Sequence, residues 1–247
     1  MKRLILCSLL LSAAAVYAQT GQVNYTRTIA FGEIAVDGIP PELTAMLPKE
    51  DKANYVLYFM PTASLYESVV QTEKEEKEMS GEGFRIRIQT DQDEDKCYTD
   101  IANRNIIEQR ALSGRMFLIT NQQKERKWKM TGNQKKMLDH VVMEAVSISG
   151  KDTVEAWYAP DIAIATGPQG ITGLPGLILE ATINKKQTIQ ATAIKMDAAV
   201  ASKIVVPTKG KKLSAEAFDK LEKQKHEEQI KELQASGEGG KRIMIVR

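Results

Sequence analysis

Alternation of apolar and polar residues constrains this chain more than any other feature of its sequence. It begins with VNYTRTI at residues 23–29 and returns as YVLYF at residues 55–59 and FRIRI at residues 84–88. Successive side chains of a β-strand point to opposite faces, so a period of two predicts strands with one buried face. The pattern favours a mainly β fold: a curved antiparallel sheet, or a partly open barrel-like meander, with a C-terminal helix.

Two hairpins are predicted in the second half of the chain. Alternation at residues 141–148 resumes at residues 153–158 after the sequence SGKD, where glycine accepts a positive φ. Residues 177–183 and 188–195 form a second pair, with NKK at the bend. Residues 116–119 predict one more strand. Strands that follow one another through short turns indicate an antiparallel meander.

Two segments interrupt this pattern. Residues 41–47 open on Pro41 and predict a short helix, because proline is tolerated in a first helical turn. Residues 73–79, EKEEKEM, carry charge without an apolar face, and SGEG follows them. Such a charge run predicts a solvated loop.

The first eighteen residues have the features of a secretory signal peptide. Lys2 and Arg3 precede an apolar stretch at residues 4–16, and VYA at residues 16–18 matches a small-x-small cleavage site. About thirteen apolar residues are fewer than the roughly 20 that span a bilayer, so we expect cleavage rather than anchoring. No later segment predicts a membrane span. We therefore expect an exported protein whose mature chain is soluble or attached to a membrane through partners.

Charge and cysteine content exclude several classes of protein. The chain has 34 basic and 32 acidic residues, and cleavage removes two basic ones, which leaves a formally neutral chain. The basic cluster of Lys209, Lys211 and Lys212 is short and lacks interleaved aromatic residues, so we expect no nucleic-acid partner. Cys7 leaves with the signal peptide and Cys97 remains alone, so no internal disulfide is expected.

The last part of the chain changes from strand to helix. We divide the exported chain into a β-rich domain at residues 19–212, a helix at residues 213–235, and a linker with a short strand at residues 236–247. Ser214 is the predicted N-cap, with Leu213 and Phe218 as a hydrophobic staple. The apolar face fades after Leu221, so the far half is either a solvated helix or a partner surface. The tail is an edge strand or a sorting signal.

The sequence GPQGITGLPGLILE at residues 167–180 predicts a tight corner. Leu174, Pro175, Gly176 and Leu177 fit a type II turn, in which proline presets φ and glycine supplies a positive φ. Gly173 lacks side-chain bulk and permits close backbone approach. Leu174, Leu177 and Ile178 are apolar and expected in the core. A structural corner is favoured over a binding loop, which stays open as the alternative.

Few residues could perform chemistry. Residues 91–95, DQDED, begin like a calcium loop, but Lys96 replaces the required glycine, so Asp91, Asp93 and Asp95 are weak metal candidates. His140 and His226 are far apart and form no triad with a nucleophile. We expect His140 to be a strand residue that faces solvent, and we expect no cofactor.

Several of these sequences together resemble one family. GLPGLI at residues 173–178, AWYAPDI at residues 156–162, the Gly167-Pro168 step and SLYE at residues 64–67 are similar to the motifs of the GLPGLI family. Its members are exported proteins of uncharacterised function from the Bacteroidota. The resemblance implies an envelope location and, because genes of this family often lie near those of TonB-dependent transporters, a candidate outer-membrane transporter or other envelope protein as partner.

The chain departs from that family at two points. A Gly-Tyr-x-Cys-x-Lys-Ala element corresponds here to residues 139–145, DHVVMEA, which lack the cysteine. Residues 169–171, QGI, replace an expected aromatic residue. No role of that cysteine in other members carries over to this chain.

Two hypotheses for function follow from these observations. The first is a non-enzymatic periplasmic binding or accessory protein that uses an apolar surface or edge strand, with Trp128, Trp157 and Tyr158 as a candidate binding surface. The alternative is an envelope hydrolase or a thiol- or metal-dependent enzyme that uses Cys97 or residues 91–95.

Overall fold

A computed structural model describes residues 19–30, 49–69, 76–81, 84–89, 94–123, 125–235 and 241–246. The predicted signal peptide at residues 1–18 and the predicted helix at residues 41–47 lie outside these ranges. Twelve of the described strands form one sheet, three form a second sheet, and one α-helix follows near the C-terminus. The mainly β prediction with a C-terminal helix is therefore confirmed.

The large sheet contains twelve strands. They are β1 (Gly21–Ala30), β2 (Glu50–Met60), β3 (Ala63–Ser68), β6 (Lys96–Asp100), β7 (Asn105–Leu112), β8 (Arg115–Gln122), β9 (Trp128–Met137), β10 (His140–Ser149), β11 (Asp152–Ala159), β12 (Leu177–Ile183), β13 (Gln187–Met196) and β14 (Lys211–Ser214). The small sheet contains β4 (Glu76–Gly81), β5 (Phe84–Gln89) and β15 (Lys241–Val246). Helix α1 spans Ala215–Ala235, and 3-10 turns span Pro168–Gly170 and Ala198–Lys203.

The large sheet consists of two antiparallel meanders joined by the first strand. Its order is β14-β8-β7-β6-β3-β2-β1-β13-β12-β11-β10-β9, and β14 and β9 are its edges, so the sheet is not closed. Strand β14 pairs with β8 in parallel, which makes the sheet mixed. The parallel pairing arises because the chain crosses one face of the sheet between β13 and β14.

Both predicted hairpins are confirmed. Strands β10 and β11 pair from Met143 to Ser149 around a turn in which Gly150 has φ of 63°. Strands β12 and β13 pair around Asn184 and Lys185, which have φ values of 53° and 57°. Asparagine tolerates this left-handed region better than most residues.

The predicted loop at residues 73–79 is partly wrong. Residues 76–79 belong to β4, which pairs with β5, and β5 pairs in parallel with β15. Residues 73–75 lie outside the described ranges. Alternating charge fits a strand as well as a loop once a neighbouring strand supplies the backbone hydrogen bonds, and period analysis alone does not separate the two.

Residues 160–176, here called the central segment, explain why the sheet curves. A Cβ placed on Gly170 would lie 3.3 Å from Cys97 Sγ on β6, and two residues later Thr172 O accepts a hydrogen bond of 2.9 Å from Trp128 on β9. Strands β6 and β9 are eight positions apart in the sheet, which is about 38 Å in a flat sheet. The two residue steps from Gly170 to Thr172 span at most about 7 Å of extended chain, far less than that distance. The sheet therefore curls around the central segment.

The core lies on the inner face that meets the central segment. Ser64 Oγ and Thr166 Oγ1 are 2.7 Å apart, and Tyr25 donates its hydroxyl proton to Ile178 O at 2.6 Å. Ile162, Ile164, Ile171 and Leu174 of the segment are buried against apolar strand residues. The apolar inner face that the alternation of the strands predicts is thus covered by another segment of the same chain.

Helix α1 begins as predicted. The amide of Ala217 donates to Ser214 Oγ at 3.2 Å, and Leu213 packs near Phe218 against Phe117 and Ile119. No helix in the described part of the chain combines the length and apolar character that a membrane crossing requires.

Candidate functional site

The two glycines of the Pro-Gly corner have structural roles, but not the predicted ones, whereas Leu174, Leu177 and Ile178 are buried as predicted. Gly176 does not have a positive φ, so the predicted type II turn with glycine at its third position is wrong. A Cβ at Gly176 would lie 2.8 Å from the carbonyl carbon of Ala159. Gly173 instead has φ of 92°. The corner needs Gly176 for close approach and Gly173 for its backbone conformation.

The three predicted binding residues hold the central segment or the sheet. Tyr158 is only 3% exposed, with its hydroxyl 3.7 Å from the sulfurs of Met130 and Met143. Trp128 bonds to the central segment through its indole N–H. Lys135 Nζ lies 4.2 Å from the centre of the Trp157 ring. Ligand binding at this surface stays a prediction.

Cys97 is poorly placed to act as a nucleophile. It is buried beneath Gly170, and burial raises the pKa of its thiol well above the ordinary value, with a smaller contribution from the charge of Glu108. A hydrogen bond with Thr99 opposes this shift only partly. Because the thiolate is the reactive form, low reactivity is expected.

The acidic loop is only partly described. Asp91 and Asp93 lie outside the described ranges, whereas Asp95 Oδ1 accepts a hydrogen bond of 3.2 Å from the amide of Ala111. Burial raises the pKa of Asp95 above its ordinary value. Within the described ranges, no three His, Cys, Asp or Glu side chains lie together as a metal site would require.

His140 contacts the start of the central segment. Its Nδ1 lies 2.6 Å from Asp161 Oδ2, and Asp161 O also accepts a bond of 3.2 Å from Gln19 Nε2. His140 retains a quarter of its side-chain exposure. The pair connects the β9–β10 turn to the segment, and the alternation of β10 gave no indication of it.

A groove lies on the outer face of the sheet. Leu57 and Ser64 face inward, so their neighbours Tyr58 and Leu65 face outward, and cross-strand pairing places Tyr58 beside Leu65. Residues 203–209, here called the strap, cross this face. Between strap and sheet is an open cavity of about 590 Å³, with Tyr58, Leu65 and the buried Gln109 in its floor.

The strap is fixed at both ends. Just before its N-terminal end, Val200 is buried against Tyr58 and Leu65. Asp197 Oδ1 accepts from the amide of Ala199 at 3.0 Å, and a hydrogen bond from Lys195 lowers the pKa of Asp197.

The C-terminal end of the strap is fixed at Gly210, which has φ of 131° and lies against the backbone of Phe117. A Cβ at Gly210 would lie 2.7 Å from the Phe117 carbonyl carbon. The groove is therefore a pre-formed feature of the fold.

Three lysines surround the groove, and one of them, Lys203, forms no ion pair with a described carboxylate, although its charge contributes to the lowered pKa of Asp197. Lys96 Nζ lies 2.9 Å from Glu67, and Lys209 Nζ lies 3.4 Å from Glu94. Lys203 Nζ lies 4.8 Å from the centre of the Tyr58 ring and donates weakly to its hydroxyl oxygen at 3.5 Å. Among the described residues, no carboxylate forms an ion pair with Lys203.

Sequence reasoning missed this groove. Its residues come from β2, β3, β6, β7 and the strap, which are separated by up to about 150 positions in the chain. The local signal was the apolar pair Val205-Val206 before Pro207, in a segment without alternation. The strand pairing that brings these parts together cannot be read from any one of them.

Comparison with known proteins gives a family match and a fold relationship. Residues 64–180 match the model of a family described as a protein of unknown function (Porph_ging). This agrees with the expectation of an uncharacterised family. Among curated proteins, none matches the chain.

Two solved structures of PNGF-II resemble the chain at 16% sequence identity. The structure in the P21 space group gives a TM-score of 0.54 and covers 84% of this chain and 34% of its own. The structure in the C2 space group gives 0.52, 82% and 32%. The chain thus spans about a third of the length of these structures. At this identity the likeness concerns the fold alone.

Proposed function

We propose that this protein is a non-enzymatic binding or accessory protein of the periplasm and that it binds through the outer groove. The observation that carries this proposal is the division of the sheet into a filled face and an open one. The inner face packs on the central segment, whereas the outer face retains a cavity of about 590 Å³. Ligand sites commonly have volumes of about 300–1,000 Å³.

The location is proposed on the basis of sequence. Residues 1–18 have the charge, apolar stretch and cleavage site of a signal peptide. The GLPGLI resemblance, with its Bacteroidota source, supports the same location and suggests an outer-membrane transporter as a partner. Fractionation of cells that express the full chain tests this: we expect the processed protein in the periplasmic fraction, and recovery in the cytoplasm would contradict it.

The enzyme alternative has weaker support. A thiol mechanism needs an accessible thiolate, and burial at Cys97 opposes both accessibility and ionisation. We therefore place the function in binding rather than in covalent chemistry at this residue.

Binding at the groove is tested by native mass spectrometry of the protein isolated from its own envelope. Val205→Trp places a large side chain at an exposed strap position and should fill the cavity. We expect the wild-type chain to retain a small molecule that Val205→Trp loses. Ile148→Trp, at an exposed position on β10, is the matched control and should retain it. Equal retention by all three proteins, or none by any, would contradict the proposal.

A further inference from the structure

We infer that the outer groove binds an amphiphilic anion, with a carboxylate or phosphate-ester head group at Lys203 and an apolar chain along the strap. This inference rests on the proposed function and names the ligand class of the same groove. It follows from the position of one unpaired ammonium group, two exposed valines and a covered aromatic ring.

The head-group position is defined by Lys203. Its ammonium is held against Tyr58 by a cation–π contact and a long hydrogen bond, and no ion pair within the described ranges neutralises it. An ammonium group has three donors, of which the Tyr58 hydroxyl takes one. The remaining donors are available to an oxyanion, and charge-assisted bonds of this kind are the strong ones.

The flanking lysines add a positive field. Lys96 and Lys209 line the same groove but each has a glutamate beside it, Glu67 and Glu94. Surface ion pairs are weak, so these pairs cost little to rearrange when a ligand enters. Among the described residues that line the groove, three lysines stand against one carboxylate, Glu67, so the lining is net positive, which disfavours a cationic ligand.

The apolar part of the ligand is indicated by the strap. Val205 is 63% exposed and Val206 is 41% exposed, next to each other at the wall of the cavity. Leu65 lies in the floor. Covering exposed apolar surface stabilises a complex, because that surface is removed from water. A short alkyl chain placed against these residues gains this contribution, and a bare inorganic anion does not.

Ring-stacking ligands fit the groove less well. Sugars and nucleobases are commonly held on the open face of an aromatic ring, but Tyr58 is only 8% exposed and Lys203 lies over its ring. The aromatic surface is therefore used to position the cation. This arrangement favours a ligand recognised by charge at one end.

Isothermal titration calorimetry on the processed full chain tests the inference with four probes. These are decanoate, decyl phosphate, inorganic phosphate and decyltrimethylammonium. We expect both single-chain anions to bind, inorganic phosphate to bind at least about tenfold more weakly, and the cation not to bind. Co-sedimentation with phosphatidylglycerol or phosphatidylcholine vesicles then separates the two sources of the head group. Retention on anionic vesicles alone indicates a lipid, and binding of free decyl phosphate without retention indicates a soluble ligand.

Matched variants identify the head-group residue. Lys203→Gln should weaken binding of decyl phosphate by about tenfold or more, because it removes a charged hydrogen bond. Lys203→Arg should retain binding, and Lys151→Gln, at an exposed turn outside the groove lining, should have no effect. Val206→Ser should weaken decyl phosphate more than inorganic phosphate.

Several outcomes would overturn the inference. Binding of the cationic probe as tightly as the anions, or equal binding by Lys203→Gln and Lys151→Gln, contradicts a head-group site at Lys203. The absence of binding by both single-chain anions contradicts the ligand class. If a neutral molecule is retained by the wild-type chain and lost from Val205→Trp, the proposed function stands and only this inference fails.

Discussion

Gly176 lies so close to the backbone of Ala159 and Pro160 that no side chain fits between them. A Cβ there would lie 2.8 Å from the Ala159 carbonyl carbon and 3.0 Å from Pro160 Cα. Backbone atoms at both contacts cannot rotate away as a side chain can. Gly176 is therefore required because it has no side chain, whereas Gly173 is required because its backbone has a positive φ of 92°.

Replacement of Gly176 by alanine tests this assignment. We expect a loss of about 3 kcal/mol in the free energy of unfolding, because overpacking against a fixed backbone is costly. Gly150→Ala is the control: its φ is 63° and no atom lies within 4 Å of the added methyl group. Its loss should be about 1 kcal/mol, from the backbone alone. Urea denaturation measures both, and equal losses would contradict a packing role for Gly176.

At the scale of elements, the described side chains of α1 contact the large sheet through the first turns of the helix. Phe218 is buried edge-on against Phe117 with ring centres 5.6 Å apart, and the guanidinium of Arg110 lies 4.7 Å from the centre of its ring. Arg110 also contacts Glu222 at 2.7 Å. The staple and the cap predicted from Leu213, Ser214 and Phe218 thus coincide with the packed part of the helix.

Truncation of Phe218 tests how much the helix contributes. Phe218→Ala should lower the free energy of unfolding by about 3–5 kcal/mol, since it removes a buried aromatic side chain and leaves a cavity. Glu227→Ala, at an exposed position of the same helix, should change it by less than about 0.5 kcal/mol. Urea denaturation followed by circular dichroism gives both values. A small effect of Phe218→Ala would mean that the helix is not part of the cooperative structure.

At the scale of the molecule, the central segment joins the two meanders. It contacts β3 and β6 through Ser64 and Cys97 in one half and β9 through Trp128 in the other. The sheet cannot flatten without breaking these contacts. Both halves should therefore unfold together, although each is a complete meander by itself.

Coincidence of unfolding transitions tests this coupling. Trp128 and Trp157 both lie in the second meander, so tryptophan fluorescence reports that half, whereas far-ultraviolet circular dichroism reports all strands. We expect the two urea transitions to coincide, as in two-state unfolding. Trp128→Phe removes the bond to Thr172 and should shift both transitions by the same amount. A fluorescence transition at lower urea than the dichroism transition would contradict a single cooperative unit.

The sequence by itself determined the strands with clear alternation, the two hairpins, the helix start and the burial of Leu174, Leu177 and Ile178. Alternation, turn residues and caps act over a few neighbouring positions, so their physical effect is already present in a short stretch of chain. Alternation predicted no strand at β3, β6, β7, β9 or β14. It was ambiguous at residues 76–79, where charged residues fit a strand once partners are available.

Only the tertiary structure decided the roles of the glycines and the place of the groove. The clash that requires Gly176, the curl of the sheet around residues 160–176, and the position of Lys203 above Tyr58 depend on atoms far apart in the chain. Strand order fixes these distances, and period-two alternation is satisfied by many strand orders. Packing, rather than local preference, selected the one in which the inner face is filled and the outer face retains a groove.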